Sequence, residues 1–292
     1  MDSTKCEAFL AAIDSGSLTA AGQILGYTQP GITRMINSLE EELGFQLFVR
    51  TKKGVIPTPN GSMMLPAFRE IVRAHQYALE VSSDIRGTMS GVLTIGSYYS
   101  VAAVLLPTII TNFQHMFPNV RINLKEGGNR EMTRWLNERS VDCCFCAEPS
   151  PGTICDWIPI QEDDLLVWLP SNHPKAHLDA FPIRDIEDEP FIMTMPDQDT
   201  DLDRLLSSES LKPDIRFSTA DAYTTYCMVS AGLGVSLNNR LVTQNWTGSV
   251  VTLPFDPPHS ISLGIAVPSL KDTSPATKKF IDCVKSTLNV QD

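Results

Sequence analysis

Two short helical patterns flank a tight turn between residues 17 and 51, and this stretch restricts the fold more than any other. Thr28 can cap the second helix, and Pro30 suits its first turn, where no N–H is needed. Such a pair forms a helix-turn-helix, whose second helix can enter the DNA major groove. The same periodicity also fits an alternative interpretation, an ordinary helical hairpin within a larger core that does not contact DNA. Apolar residues recur at helical spacing at Leu18, Ala21, Ile24 and Leu25, then at Ile32, Met35, Ile36 and Leu39.

A small basic hairpin is predicted directly after the second helix. Gly44 marks the end of that helix, and residues 50–54 form a basic turn from which residues 55–58 return. With a first helix over residues 4–14, these elements form a winged helix-turn-helix. The cations of the wing are placed to contact phosphates or the minor groove. Before the turn, apolar residues alternate with polar ones, as in a short strand, at Phe45, Leu47 and Val49.

The charge of the chain limits the kind of DNA binding that is possible. The 292 residues carry a formal net charge of −11, which argues against a general nucleic-acid coat protein. A sequence-specific binder needs only a local cluster of cations. DNA binding would therefore depend on where a few cations are placed rather than on the net charge of the chain. The cations of the first sixty residues are Lys5, Arg34, Arg50, Lys52 and Lys53.

Length, apolar runs and cysteine count predict a two-domain protein of the cytoplasm. A chain of 292 residues can form two domains with buried cores. No apolar run approaches the ~20 residues that span a bilayer, and acids flank the apolar part of residues 1–17, unlike in a signal peptide. Seven cysteines, an odd number, favour reduced thiols over a disulfide framework.

A long helix is predicted to follow the wing, from residue 58 to about residue 86. A helix of this length between two domains cannot bury its apolar stripe alone, so we expect it to pair with a second chain. Pro66 predicts a kink or a later helix start, and residues 87–91 form a small-residue hinge. The stripe runs through Leu65, Phe68, Ile71, Val72, Ala78, Leu79 and Val81.

The second half of the chain alternates predicted strands with helices. Strand patterns begin at Gly91, Val120 and Val141, and helical patterns with apolar faces lie between them. This alternation predicts parallel strands and an α/β layer fold. Ligands in such folds sit at the carboxyl ends of strands, often against helix N-termini.

Metal and catalytic patterns in the chain lack the residues that such chemistry needs. The run Asp197, Asp199, Asp201 and Asp203 alternates like a calcium loop, but Leu202 and Ser208 replace the required glycine and glutamate. His173 and His177 have zinc-like spacing, but Pro174 prevents a shared helix. No nucleophile–base pair stands out. We therefore expect no enzyme, no metal and no cofactor.

Three cysteines lie close together at Cys143, Cys144 and Cys146. On a strand, Cys144 and Cys146 share one face and Cys143 points to the other. A redox or thiolate-metal site fits this cluster less well than a buried strand with small side chains.

Residues 9–61 resemble the DNA-binding domain of LysR-type transcriptional regulators. Gly22 and Gly31 stand where the family prefers alanine, each at a helix-propensity cost of up to ~1 kcal/mol. Thr28 and Thr33 stand where it prefers serine. The matches keep one register over residues 16–19 and at Phe9, Ala21, Leu25, Gln29, Pro30, Leu39, Glu40, Leu43, Gly44, Leu47, Phe48, Arg50, Thr58 and Gly61.

The later half resembles the effector domain of the same family, which is built like a periplasmic binding protein of type 2. The resemblance implies an α/β fold class with a helix-rich winged helix-turn-helix head. The head would comprise residues 1–58, the linker helix and hinge residues 59–89, and the effector domain residues 90–292. Its first subdomain would combine residues 90–160 and 268–292, and its second would comprise residues 161–267.

The resemblance also implies which residues contact DNA. Gln29 can read adenine, Arg34 can read guanine or hold a phosphate, and Thr33 suits either role. Peroxide-sensing relatives keep redox cysteines in the second subdomain, which here offers only Cys227, so redox sensing is not expected. The full set of expected DNA contacts is Thr28, Gln29, Pro30, Thr33, Arg34, Arg50, Thr51, Lys52 and Lys53.

A small-molecule effector is expected in the cleft between the two subdomains, at strand ends. Hydroxyls and N–H groups at the helix that begins near Ser100 suit a carboxylate or another polar oxygen. The tyrosines offer apolar faces to a ring or chain. They could also serve only to pack the subdomains together. The expected cleft residues are Tyr98, Tyr99, Ser100, Gly128, Asn129, Ala147, Thr194, Met195, Ala222, Tyr223 and Thr224.

The resemblance therefore implies a cytoplasmic regulator that binds a palindromic promoter site as a homodimer and responds to an effector. The linker helix would form the dimer, and the family commonly forms homotetramers. The alternative is a small-ligand-binding module whose helix-turn-helix no longer functions. DNA, an effector and further copies of the chain are the expected partners, without a membrane.

Overall fold

The computed structural model describes residues 1–52, 54–196 and 198–290. Its first part is a compact head of three helices and a hairpin. The helices are α1 (Ser3–Ser15), α2 (Leu18–Leu25) and α3 (Gln29–Leu43), and the hairpin pairs β1 (Phe48–Thr51) with β2 (Gly54–Pro57). The predicted winged helix-turn-helix is confirmed.

Local capping fixes the boundaries of the helix-turn-helix. The hydroxyl of Ser17 accepts from the backbone N–H of Ala20 at 3.2 Å, and that of Thr28 accepts from Gly31 at 3.3 Å. Gly44 ends α3 in the left-handed conformation, with φ at 79°. Each of these groups satisfies a helix end that would otherwise lack a partner. The predicted roles of Thr28 as a cap and of Gly44 as a helix end are confirmed.

Gly22 allows α2 to approach the turn closely. A Cβ atom at this position would lie 2.6 Å from the carbonyl oxygen of Tyr27, and the Tyr27 N–H donates to the Gly22 carbonyl at 2.8 Å. The glycine therefore costs helix propensity but removes a backbone clash. At Gly31, the nearest atom to such a Cβ is the Thr28 hydroxyl oxygen, at 3.3 Å.

The linker helix α4 extends from Pro59 to Ile85, with Thr58 as its cap. Because it starts at Pro59, the alternative of a later start beyond Pro66 is wrong. The hydroxyl of Thr58 accepts from the N–H of Gly61 at 2.9 Å. Among the described residues, no helix combines the length and apolar character needed to cross a membrane.

The predicted apolar stripe of α4 is divided between two environments. Phe68 is fully buried in the core of the head and meets Phe9 edge to face, with ring centroids 5.5 Å apart. Leu65, Ile71 and Val72 pack against the same core. The expectation that the whole stripe faces a second chain is therefore wrong, because its first half is covered by the head of the same chain. The large exposed apolar side chains of α4 are Met63, Tyr77, Leu79 and Ile85.

The second half is built on an eight-stranded mixed sheet. Its strands are β3 (Gly91–Ser97), β4 (Val120–Glu126), β5 (Cys143–Ala147), β6 (Asp156–Pro170), β7 (Phe181–Pro182), β10 (Ser236–Asn239), β11 (Val250–Asp256) and β12 (Ser260–Val267). The order is β4-β3-β5-β12-β6-β11-β7, and β10 also pairs with β6. A separate parallel pair joins β8 (Pro190–Thr194) and β9 (Asp214–Thr219).

Helices cover this sheet and complete the α/β architecture. They are α5 (Tyr99–Val104), α6 (Leu106–Met116), α7 (Asn129–Asn137), α8 (Asp201–Ser208), α9 (Ala222–Ser230), α10 (Arg240–Thr243) and α11 (Pro275–Leu288), with a 3-10 helix at Ile183–Asp188. Strand β3 is parallel to both β4 and β5, as the sequence predicts.

The 15-residue strand β6 passes from one half of the domain into the other. Residues 156–164 pair with β12, whereas residues 165–170 pair with β10 and β11. Each half has its own core, one around Phe145 and Phe280 and one around Phe191 and Phe255. Strand β12 pairs with β5, which places residues 260–267 in the first half. The boundary predicted after residue 267 differs from this pairing, because it assigns β12 to the second half.

Contacts with α11 and the loop before it fasten the linker helix to the effector domain. The carboxylate of Glu80, only 5% exposed, accepts from the Ala276 N–H at the start of α11 at 3.3 Å. Burial raises the pKa of Glu80, and hydrogen bonds from Ser274 and Ala276 lower it in part. Arg73 donates to the Asp272 carbonyl at 3.0 Å.

The segment after α4 forms a hydrogen-bonded turn. The Thr88 N–H donates to the Ser83 carbonyl at 3.0 Å, and the Ser90 N–H donates to the Ser83 hydroxyl at 3.1 Å. Ser83 is itself buried. The small residues predicted to form a hinge therefore fold back against the helix end.

Gly22→Ala tests the close approach at the turn. We expect a loss of about 1–3 kcal/mol in the free energy of unfolding, because the new methyl group forces backbone apart. Gly31→Ala is the matched control, and we expect up to about 1 kcal/mol of stabilisation from its higher helix propensity. Urea denaturation followed by circular dichroism measures both. Equal effects of the two variants would contradict the clash at position 22.

Asp163 predicts a pH-dependent stability, because it is 3% exposed and one of its carboxylate oxygens has no partner. Burial raises its pKa from 3.8 to about 6, and the Leu241 N–H partly opposes this rise. The folded chain then holds this proton to higher pH than the unfolded chain. The contribution of the Asp163 carboxyl group to the free energy of unfolding is therefore fully present below pH 4 and is lost as the pH rises through about 6.

In Asp163→Asn this loss should disappear. We expect the stability of wild type relative to the variant to fall by up to about 3 kcal/mol between pH 4 and pH 7. Asp164→Asn is the control, because Asp164 is half exposed and pairs with Arg240 at 2.6 Å on the surface. Thermal unfolding across this pH range makes the comparison. A constant difference between wild type and Asp163→Asn would contradict it.

Candidate functional site

One face of α3 gathers the residues expected to contact bases. Gln29, Pro30, Thr33 and Arg34 line a shallow exposed surface, together with Asn37, Ser38 and Glu41. The Gln29 amide donates to the Thr33 hydroxyl at 2.8 Å, which holds the two side chains side by side. The three additional residues follow at helical spacing, and that spacing was the signal that could have identified them.

Arg34 is exposed on this face, and in the described part of the chain no ion pair holds it. An arginine in this state keeps its full set of donors for guanine or phosphate. Thr28 accepts from Gly31 with its hydroxyl oxygen, which leaves the hydroxyl hydrogen available to donate. Its capping role and a phosphate contact are therefore compatible.

The wing lies beside the reading helix. Arg50 and Lys52 are exposed, and Arg50 reaches the Thr33 hydroxyl at 3.5 Å. The Thr51 hydroxyl donates to the Gly54 carbonyl at 3.1 Å and so helps to close the hairpin. Lys53 lies outside the described residues. The wing therefore brings positive charge to the edge of the surface formed by α3.

Lys5 lies beside Ser38 at the end of the reading face, but its charge is paired with an acid. Its ammonium group pairs with Glu42 and donates to the Ser38 hydroxyl at 2.9 Å. The Lys5 hydrogen bond lowers the pKa of Glu42, and the terminal amine adds to this. Lys5 is thus neutralised by an acid of α3, and the positive charge near the reading face comes from Arg34 and the wing.

A second site is the cleft between the two halves of the effector domain, with a cavity of about 110 Å³. Five helices begin at its rim: α5, α7, α8, α9 and α10. Eight of the eleven expected cleft residues line it, namely Tyr98, Tyr99, Ser100, Gly128, Asn129, Thr194, Met195 and Ala222.

The other three expected residues lie outside this cavity. Ala147 lines a small adjoining cavity on the other side of Asn129. Tyr223 is exposed and packs edge to face on Trp246, with centroids 5.2 Å apart. The Thr224 hydroxyl donates to the Asp221 carboxylate at 2.9 Å as part of the cap of α9. Successive residues at a helix start point about 100° apart, so neighbours of a lining residue can face elsewhere.

Sequence reasoning missed nine lining residues of the cleft. The sequence shows Asp201 only as part of an acidic run that lacks the residues of a calcium loop. Asn238 and Asn239 end a strand that the sequence analysis did not predict. The end of β10 was the signal that could have identified the asparagines. The complete missed set is Gly127, Leu165, Thr200, Asp201, Leu202, Leu237, Asn238, Asn239 and Val242.

Asn129 connects the two walls of the cleft. Its side-chain oxygen accepts from the Tyr98 hydroxyl. Its amide donates to the Asp199 carbonyl at 2.6 Å and lies 3.5 Å from the Asp201 carboxylate. Burial raises the pKa of Tyr98 well above 10, and the charge of Asp201 raises it further. The tyrosine is therefore a neutral hydrogen-bond donor.

The cysteines on β5 have the environment of core side chains. Cys143 packs in one core, whereas Cys144 and Cys146 pack in another, which confirms that they point to opposite faces. Burial raises the pKa of Cys146 to about 12, and nearby Cys155 adds to this. A thiolate is disfavoured here, and the buried-strand interpretation agrees with these contacts.

Two residues of the remaining metal-like patterns, His173 and Asp203, have structural partners. His173 lies 3.2 Å from Glu189, and Asp203 caps α8 through Thr200. Asp197 lies outside the described residues, so the calcium-like run can be followed only in part. Within the described ranges, no group of three His, Cys, Asp or Glu side chains is arranged to hold a metal ion.

Two family models match the chain over nearly its whole length. The bacterial regulatory helix-turn-helix protein model of the lysR family matches residues 4–62, and the LysR substrate binding domain model matches residues 86–289. The chain belongs to the LysR family. It is a LysR-type DNA-binding transcriptional regulator, and the resemblance seen in its sequence is confirmed.

Relatives from two bacteria align with this LysR-type chain. YvbU of Bacillus subtilis strain 168, an uncharacterized HTH-type transcriptional regulator, is 27% identical over 294 residues, which cover 100% of both chains. OxyR of Escherichia coli K12, a DNA-binding transcriptional dual regulator, is 28% identical over 213 residues. That alignment covers 72% of this chain and 70% of OxyR.

Solved structures share the fold of this LysR-type chain. A full-length OxyR variant from Pseudomonas aeruginosa matches with a TM-score of 0.79 at 19% identity, covering 99% of this chain and 95% of that one. Full-length CbnR in complex with its target DNA matches with a TM-score of 0.67 at 18% identity. It covers 98% of this chain and 100% of CbnR. The predicted fold class is confirmed.

Proposed function

We propose that this regulator binds a palindromic promoter site as a dimer. We further propose that a small molecule in the cleft changes the relative placement of the two DNA-binding heads. The exposed face of α3, flanked by the basic wing, is the observation that carries the proposal. A helix of this kind fits the major groove, and a second copy provides the second half-site.

Within each head, a few side chains would read the bases. Gln29 would bond to adenine and Arg34 to guanine or a phosphate. The hydrogen bond from Gln29 to Thr33 supports this role, because it fixes the amide before DNA arrives. Thr28, Arg50 and Lys52 would hold the backbone, and Lys53 is part of the same proposal. Asn37 and Ser38 extend the reading face by one turn.

The exposed side of α4 would form the dimer. Met63 is 80% exposed and Ile85 is 82% exposed, at opposite ends of the helix, and the spacing places exposed Tyr77 between them on the same side. A second copy of α4 would cover this apolar row. Because the chain is acidic, two heads acting together would supply affinity that one head lacks. A tetramer, as is common in the family, would use further surfaces.

The conformational effect of ligand binding would be transmitted to the DNA-binding heads through the effector domain and α4. A ligand can shift the assembly only if it binds one arrangement of the dimer more tightly than another. The buried contact of Glu80 with α11 supports this route, because it fastens the linker helix to the domain that holds the cleft. We further propose that the protein acts in the cytoplasm, where its DNA lies, and that it has no enzymatic activity.

Arg34→Ala tests the reading role in a gel-shift assay with the DNA upstream of the gene for this chain. We expect about a 100-fold loss of affinity, because one base contact of about 1–3 kcal/mol is lost in each head of the dimer. Gln29→Ala should weaken discrimination between operator variants more than it weakens affinity. Salt concentration is kept constant throughout.

Arg216→Ala is the matched control for the charge change. Arg216 is exposed on β9, where it pairs with Asp214 at 2.7 Å, far along the chain from the head. We expect it to bind DNA as wild type does. Equal effects of the two arginine variants would refute the role of Arg34. Wild-type binding no tighter than to unrelated DNA would favour a ligand-binding module with a non-functional helix-turn-helix.

A further inference from the structure

The cleft carries a negative charge and no positive charge among its described lining residues. Asp201, at the first turn of α8, is the carboxylate that lines it, whereas lysine, arginine and histidine are absent from the lining. Burial raises the pKa of Asp201, and hydrogen bonds from Asn129 and Asn239 together with the charge of Arg204 lower it in part. The Asn129 amide is 3.5 Å from the carboxylate, at the limit of a hydrogen bond. The carboxylate therefore keeps capacity to accept from a ligand.

The nearest cation to this carboxylate is already engaged elsewhere. Arg204 donates from Nε and Nη2 to the Asp199 carboxylate at 3.3 and 3.2 Å, and from Nη2 to the Ser150 hydroxyl at 3.1 Å. Its side chain lines the small cavity beyond Asn129 rather than the cleft. A ligand carboxylate in the cleft would find no arginine free to form a paired contact.

Three of the helix starts at the rim are also satisfied by acids of the chain itself, whereas the start of α5 has no side-chain cap. Helix starts attract anions through their free N–H groups. Here Glu131 accepts a backbone N–H at 3.2 Å at the start of α7, Asp203 does so at 2.8 Å at α8, and Asp221 does so at 2.7 Å at α9. An anionic ligand would have to displace these carboxylates or lie beside them.

The rest of the lining is largely apolar. Leu165, Leu202, Leu237 and Val242 form much of the wall, and Tyr98 presents a ring whose hydroxyl is already bonded to Asn129. A ligand that fits would bury hydrocarbon against these side chains. It would place one polar end near Asp201.

From these observations we propose that the cleft binds a small apolar amine, whose ammonium group donates to Asp201, and discriminates against carboxylates. The proposal rests on the proposed role of the cleft as the effector site. A cation balances the buried carboxylate, whereas an anion would meet it in a poorly screened environment whose described lining holds no cation. A carboxylate or another polar oxygen is expected from the sequence at the helix near Ser100, and an uncharged oxygen is the one of these two that suits this charge pattern.

Matched pairs of probes test the charge preference on the full-length protein without DNA. Hexylamine is compared with hexanoate, and benzylamine with benzoate, at equal ionic strength and pH 7. Thermal unfolding and calorimetric titration report binding. We expect each amine to bind at least tenfold more tightly than its carboxylate partner, and to raise the melting temperature where the carboxylate does not.

Asp201→Asn is the decisive variant, because asparagine keeps the size of the side chain and removes its charge. We expect amine affinity to fall at least tenfold and the preference over carboxylates to disappear. Asp214→Asn is the matched control, since Asp214 is an exposed carboxylate on β9 outside the cleft. Its amine preference should equal that of wild type. Circular dichroism checks that both variants are folded.

Two results would overturn the proposal. One is a carboxylate that binds wild type as tightly as its matching amine, and the other is the absence of any amine binding. Amine binding that survives in Asp201→Asn would equally overturn the role of Asp201. Failure of the regulator proposal would appear separately, as a loss of operator binding in the gel-shift assay, while the ligand preference remained measurable.

Discussion

The contact between Glu80 and the start of α11 is the constraint on which the relation between the two functional parts depends. A carboxyl group buried in this way is costly unless backbone donors satisfy it, and here the helix start of the effector domain does so. Ser83 fixes the following turn within one helical turn of Glu80. The DNA-reading head is therefore joined to the ligand cleft through a packed and hydrogen-bonded junction rather than through a flexible tether.

Charge is distributed so that each surface of this acidic protein meets a different kind of partner. The reading face keeps Arg34 free of ion pairs in the described chain, while Lys5 is neutralised by Glu42. In the cleft the arrangement is reversed, because Arg204 is paired with Asp199, while Asp201 lines the cavity without an ion pair in the described chain. Specificity at both sites thus arises from which few charges are left available, not from the net charge of the chain.

Sequence reasoning succeeded where local chemistry decides the structure and failed where distant elements meet. The caps and the two helices follow from neighbours in the chain, so Thr28 and the wing were predictable. An amphipathic stripe shows that a helix face is covered but not by what, and Phe68 was therefore assigned to the wrong partner. Asp201 reaches the cleft only because β8, β10 and α8 converge, which no local pattern encodes. The pairing of β12 with β5 was not predictable for the same reason, since strand pairing is non-local.

The burial of Phe68 in the head gives α4 a mechanical role. Because the helix is packed to the head at one end and fastened by Glu80 at the other, we expect head and helix to behave as one rigid body, or arm. Its 27 residues span about 40 Å. A rotation of about 10° between the effector domains of two subunits would move each arm tip by about 7 Å, or about two base-pair steps along DNA. A modest repacking around a ligand would thereby alter which half-site spacing the dimer can bind.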